Sequence, residues 1–133
     1  MKMRDIEEVR KNFAKDAFAA DSGVYIEEVG ENYAKCSMEI TPKHLNAAGV
    51  LMGGATFVLA DFTCAVAANW QGDGSTVSLN GNITFYGVAK GHKVFAEARC
   101  LKDGHTTCCY EVMIYDDLNR QVAAVMMTCF KKH

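Results

Sequence analysis

The chain has 133 residues, half of them apolar and under a quarter charged, with a net charge of −2. That size fits a single domain with one hydrophobic core and leaves no room for a disordered polyelectrolyte. No basic run with interleaved aromatics is present, which argues against a nucleic-acid partner.

Residues 3–20 carry Ile6, Val9, Phe13, Ala17 and Phe18 at near-helical spacing with charges between them. This predicts one amphipathic surface helix within residues 1–21, stopped by Asp21-Ser22-Gly23. The segment has no apolar core followed by a cleavage site, so the expectation is a cytoplasmic protein with neither a leader nor a membrane anchor. Residues 24–29 and 33–40 then read as a hairpin around Gly30-Glu31-Asn32. In the second of these strands Ala34, Cys36, Met38 and Ile40 share one face. Pro42 helps to stop it, and His44 to Gly49 is a loop rich in turn formers.

Gly53 to Trp70 is the stretch around which the rest is arranged. From Ala55 to Ala68 it is apolar or small on every side except for one carboxylate, Asp61. A helix of that kind is buried, and it is too short to span a bilayer, which needs about 20 mostly apolar residues. A carboxylate inside it must be paired, placed at a subunit junction or kept for chemistry, because a bare buried charge costs several kcal/mol. The Gly53-Gly54 start leaves backbone N–H groups free to receive an anion or a polarised carbonyl. From Gly54 to Asp61 is about two turns, or roughly 10 Å, so the two would serve one bound atom only across a dimer interface.

After a loop at 72–74, everything from 75 to 131 reads as strand. The segments are 76–86, with Gly81 suggesting a bulge or a close approach, then 93–101, 106–115 and 120–130. The turns between them are expected at 87–91, at Lys102-Asp-Gly-His105 and at 116–119. The order is one helix, two strands, a long buried helix and an antiparallel meander, an α+β arrangement in which a curved sheet wraps the helix. Its far face and its edges need cover, which points to self-association.

Six cysteines (36, 64, 100, 108, 109 and 129) lie inside apolar segments. They read as small buried hydrophobes in a reducing compartment. With no CxxC pair and no zinc-type spacing to the four histidines, no metal site or cofactor is expected.

The run His44-x-Asn46-x-x-Gly49-x-x-Met52-Gly53-Gly54, followed by Leu59-Ala60-Asp61, resembles the hotdog-fold thioesterases of the phenylacetate-pathway (PaaI-like) type, whose usual form is N-x-x-G-x-x-H-G-G and then L-x-D. Asn82-Ile-Thr-Phe85, Gly91-x-x-Val94-x-Ala96-x-Ala98 and Gln121-Val-Ala-Ala124 extend the likeness over nearly all the chain from about residue 22. The resemblance implies an acyl-CoA thioesterase with an active site shared across a dimer, and a homo-oligomer that is a dimer or a dimer of dimers. It implies that Gly54 N–H polarises the thioester carbonyl and that Asp61 acts as general base or nucleophile. Asn46 would place the water or the thioester, and Ser78 would assist. Gly49, Met52 and Gly53 would line the substrate site. The chain departs from the family at Met52, where His is usual, because a thioether neither donates a hydrogen bond nor carries a proton. It also lacks the proline usual in the Phe85 to Ala89 segment. The Met52 change keeps open an alternative from another class, a non-catalytic acyl-CoA-binding hotdog protein.

Overall fold

The structure is a computed structural model, and it describes residues 5–72 and 74–132. One six-stranded antiparallel sheet, not closed on itself, curves around a long helix. The elements in chain order are α1 (Ile6–Phe13), α2 (Ala17–Ser22), β1 (Val24–Gly30), β2 (Tyr33–Glu39), α3 (Gly53–Ala68), β3 (Thr76–Phe85), β4 (Lys93–Asp103), β5 (Thr107–Asp116) and β6 (Gln121–Lys131). The strand order is β1-β2-β4-β5-β6-β3.

The single helix expected within residues 1–21 is two helices; residues 1–4 lie outside the described part. The break has a local cause. Asp16 takes an extended conformation and its side chain accepts from Ala19 N–H, so it caps a new helix instead of continuing the old one. Gly23, in the left-handed region at φ 81°, then ends α2. Val9 is fully buried, and Phe13 meets Phe62 of α3 edge to face, with centroids 5.6 Å apart. Arg10 donates from Nε and Nη2 to the Ile26 carbonyl, at 2.9 and 2.7 Å, and so anchors α1 to β1.

The hairpin around Gly30-Glu31-Asn32 is present. Asn32 sits at φ 51°, which asparagine tolerates better than most residues. Its Oδ1 accepts from Trp70 Nε1 at 3.1 Å and from Tyr110 OH at 3.0 Å, tying the turn to the far end of α3.

α3 packs on the concave face of the sheet. Thr56, Leu59, Ala60, Phe62, Thr63, Cys64, Val66 and Ala67 are buried, against Ala34, Cys36 and Met38 of β2, Val94, Ala96 and Ala98 of β4, and Val112 and Ile114 of β5. The period of two that places these residues inward sends Tyr33, Lys35, Phe95, Glu97, Arg99 and Tyr115 to the convex face. There Glu97 accepts from Tyr33 OH (3.0 Å), Arg99 Nη2 (3.0 Å) and Tyr115 OH (2.6 Å), and Lys35 Nζ lies 5.1 Å from the Phe95 ring centre. The far face thus supplies part of its own cover. All six cysteines are free thiols, four buried and two half-buried.

The meander is real for β4, β5 and β6, but β3 does not join it through the 87–91 turn. β3 pairs with β6 at the opposite edge, Phe85 against Ala123 and Thr76 against Lys131, so residues 86–92 cross the sheet instead of forming a hairpin. Asp116 holds that crossing: its carboxylate accepts from the backbone of Lys90, Leu118 and Arg120 at 2.9–3.0 Å. Gly81 is a place of close approach, as expected, but the register shift falls between Ser78 and Asn80. His44, read as a loop residue, is buried in a short 3-10 turn at Pro42–His44. Its ring bonds the Thr41 amide at 3.0 Å and the Ser22 carbonyl at 2.8 Å, fastening this turn to the end of α2.

Candidate active site

The loop before α3 is folded by its own backbone. Asn46 Oδ1 accepts from Ala48 N–H (2.9 Å) and Val50 N–H (3.2 Å), an arrangement asparagine favours in turns. Gly49, at φ 79°, allows the chain to reverse, and Leu45 bridges Leu51. This turn accounts for Asn46 and Gly49 structurally.

Met52 occupies the N-cap position of α3 and gives no side-chain cap; the first turn holds no acidic residue. The amides of Gly53, Gly54 and Ala55 therefore start the helix without a side-chain acceptor, at the positive end of its dipole. Met52 is half-exposed, and a Cβ on Gly54 would stand 3.4 Å from its Cε. The thioether thus lies beside the donor amides and offers them nothing polar.

Beside this helix start runs an open, mainly apolar groove of about 440 Å³, walled by the 46–51 loop, Gly53 and Thr56 on one side and by residues 85–89 on the other. Of this wall, Phe85 reads from sequence as core or acyl-pocket wall, whereas Tyr86, Val88 and Ala89 carry no such reading. Their signal was an apolar run continuing past the end of a strand.

Asp61 is half-buried on the side of α3 that faces β3. Its Oδ1 accepts from Ser78 Oγ at 3.0 Å. Ser78 pairs with Cys129 of β6, just before the irregularity between Ser78 and Asn80. The structure therefore brings Asp61 and Ser78 together, and it brings Asn46 and Gly53 to a common groove. It does not bring these two pairs together within one subunit, because Asp61 is not among the residues lining that groove.

Behind Ser78 lies a group of buried thiols. Cys64 Sγ is 3.7 Å from Cys129 Sγ, and Cys108 pairs directly with Cys129 across β5 and β6. The hydrogen bond to Cys129 and then burial push the Cys64 thiol up, while burial pushes Cys108 up to about 11 and Cys36 to about 12. Cys36, Cys64 and Cys108 are thus packing groups at neutral pH, whereas the hydrogen bond from Cys64 pushes the Cys129 thiol down.

The family model described as the thioesterase superfamily matches residues 48–123, which include the helix start, Asp61 and Ser78. The chain belongs to the thioesterase superfamily. Two curated relatives of this thioesterase-superfamily chain are both named "Putative esterase". One, from Archaeoglobus fulgidus, is 35% identical over 105 residues, covering 78% of this chain and 68% of the relative. The other, from Mycobacterium tuberculosis, is 30% identical over 111 residues, covering 80% and 79%. Among solved structures, the E. coli PaaI protein from the phenylacetic acid degradation operon matches with a TM-score of 0.87 and 26% identity, over 96% of this chain and 95% of that one. The fold is therefore the hotdog fold and the type PaaI-like, and membership supports an esterase or thioesterase activity. No helix among the described residues is long and apolar enough to cross a membrane.

Proposed function

We propose that this protein hydrolyses acyl-CoA thioesters to a free acid and CoA, at sites built from two copies of the chain. The observation that carries the reading is the separation, on one helix, of an uncapped Gly53-Gly54 start from a Ser78-bonded Asp61. Each half is suited to one end of a thioester hydrolysis, and a gap of about 10 Å along α3 keeps them from sharing a carbonyl within one subunit.

A second copy closes the gap. β3 is an edge strand whose outer side is unpaired within the chain, and all of it except Thr76 and Ile83 is exposed, Leu79 strongly so. Such an edge is a template for another strand, and pairing about a two-fold axis presents the same patch from both sides. Asp61 and Ser78 of one copy then face the α3 start of the other.

In that site the Gly54 N–H donates to the thioester oxygen and stabilises the negative charge that grows on it. Asp61 of the facing copy takes a proton from a water whose oxygen bonds to the carbonyl carbon. Ser78 Oγ, donating to Oδ1, fixes the carboxylate and leaves Oδ2 for the water. When the tetrahedral intermediate collapses, the carbon–sulfur bond breaks. The thiolate of CoA leaves and takes up the proton, so water has been added across the bond and nothing else is consumed. Asn46, whose loop walls the groove beside the helix start, helps to position the water or the thioester. Met52 adds only apolar contact, so the donors at this helix start are backbone groups.

The test is thiol release from a panel of aryl- and alkyl-CoA thioesters, run beside Asp61→Asn. Turnover in the native protein that falls by at least about a hundredfold in the variant is the expected result, in line with general-base contributions of roughly 10²–10⁴. Unchanged hydrolysis in Asp61→Asn would sink the assignment. Tight CoA binding without release in the native protein would instead favour the non-catalytic binding protein, the reading that Met52 supports.

A further inference from the structure

α3 and β3 meet in a row of three matched positions. Gly53, Phe57 and Asp61 lie four residues apart on one face of the helix. Facing them on β3 are Phe85, Gly81 and Ser78. A Cβ on Gly53 would stand 2.8 Å from Phe85 Cζ, and a Cβ on Gly81 would stand 2.7 Å from Phe57 Cζ and 2.7 Å from Met127 Sδ. The third position is the Asp61–Ser78 hydrogen bond. Each ring thus lies in the space that a missing side chain leaves on the opposite element.

Resting on the acyl-CoA thioesterase reading, we propose that Phe57 sets the size of the acyl group the enzyme accepts. On the α3 face that carries both Gly54 and Asp61, only Phe57 and Val58 lie between them, so the Phe57 ring is about one turn from each. A reacting carbon held at a Gly54 amide has two substituents to place. The flexible, polar arm that carries sulfur finds hydrogen-bonding groups and open volume in the groove beside Asn46. The acyl chain is left to the apolar stretch of helix, where it removes the Phe57 ring from water.

Phe57 cannot swing aside into its own subunit. Its ring edge and the Met127 sulfur both crowd the space over Gly81, each 2.7 Å from where a Cβ would stand there, and Met127 is buried. The ring therefore acts as a fixed floor. Flat aryl and short alkyl groups fit on it, and a long alkyl chain must bend away into solvent.

The experiment compares native protein, Phe57→Ala and Phe57→Leu on acetyl-, butyryl-, octanoyl-, palmitoyl-, benzoyl- and phenylacetyl-CoA. Two readouts are taken: thiol release, and binding of the same series to each protein carrying Asp61→Asn in addition. Shortening the side chain should raise the long-to-short ratio of kcat/KM by roughly tenfold or more, as expected when methylene-sized space is opened in an apolar pocket. Phe57→Leu, which keeps most of the bulk and guards against misfolding, should fall between. The binding series should shift in the same direction. An unchanged chain-length order in both variants, by release and by binding, overturns the proposal even if every thioester is cleaved. If no protein releases thiol but the binding order still shifts with Phe57, the hydrolytic reading fails and the size-setting role of this ring stands.

Discussion

Ser78 is an ordinary strand serine in sequence, and its neighbours make it something else. It sits beside the shift in register between Ser78 and Asn80, and its hydroxyl donates to Asp61. A hydrogen bond to a charged group is worth about 1.5–3 kcal/mol. Ser78→Ala should therefore lower kcat by about tenfold or more with little change in KM, and Ser78→Thr, which keeps the donor, should recover most of the loss; steady-state thiol release measures both. Loss through KM alone would make Ser78 a substrate contact and not a support for Asp61. The chain's own thiols call for a no-substrate blank: Cys36, Cys64 and Cys108 are buried and pushed up, but Cys100 and Cys109 are only half-buried.

Among the elements, α3 was the most legible, because an apolar helix with one carboxylate has few places to go except a core. The β1–β2 hairpin was legible from its alternation. Three things were not, each because a single side chain outvoted a pattern. The amphipathic spacing of residues 3–20 runs straight through Asp16, yet its capping bond to Ala19 divides the helix. His44 sits in a polar turn, yet its ring bonds bury it. Residues 86–92 look like a hairpin turn, yet Asp116 gathers their backbone into a crossing. Asp116 is buried, which alone would raise its carboxyl, but the backbone N–H groups of Lys90, Arg120 and Leu118 outweigh this and hold it below the usual carboxylate value of 3.8. A carboxyl lowered in the fold stabilises at pH values above the unfolded value and loses that contribution as pH drops through the folded one. Thermal unfolding followed against pH should show native stability eroding below about pH 3.8. Asp116→Ala should be less stable at neutral pH by about 1–3 kcal/mol and should show a flatter acid arm. Parallel acid arms in the two proteins would show that other carboxylates dominate.

For the molecule as a whole, the decisive feature is the unequal finish of the sheet's two edges. β1 at one edge is partly covered by α1, through Arg10 and the Ile26 carbonyl, whereas β3 at the other edge shows Val77 and Leu79 to solvent. Sequence reasoning had already asked for cover at the edges; which edge lacked it depended on the strand order, which no local pattern contains. Leu79→Lys places a charge on that edge without touching Asp61, Ser78 or Gly54. It should shift the oligomer toward monomer in sedimentation experiments and reduce thiol release in step, with activity recovering as protein concentration rises. A monomer that retains full activity would show that one chain contains a complete site. The same strand order has a consequence for how the chain acquires its fold. β3 carries one side of the Phe57 seam and the Ser78 hydroxyl, yet its only neighbour in the sheet is β6, the last strand to be made. The β4–β5–β6 meander can zip up through near neighbours, but β3 must wait, its apolar residues uncovered, until a partner far along the chain arrives. Loop-closure entropy makes such late, distant pairing slow, and the interval is when a stray edge finds the wrong partner. The functional site should thus be the last part of the molecule to mature, and recovery of activity in refolding should lag behind the burial of Trp70.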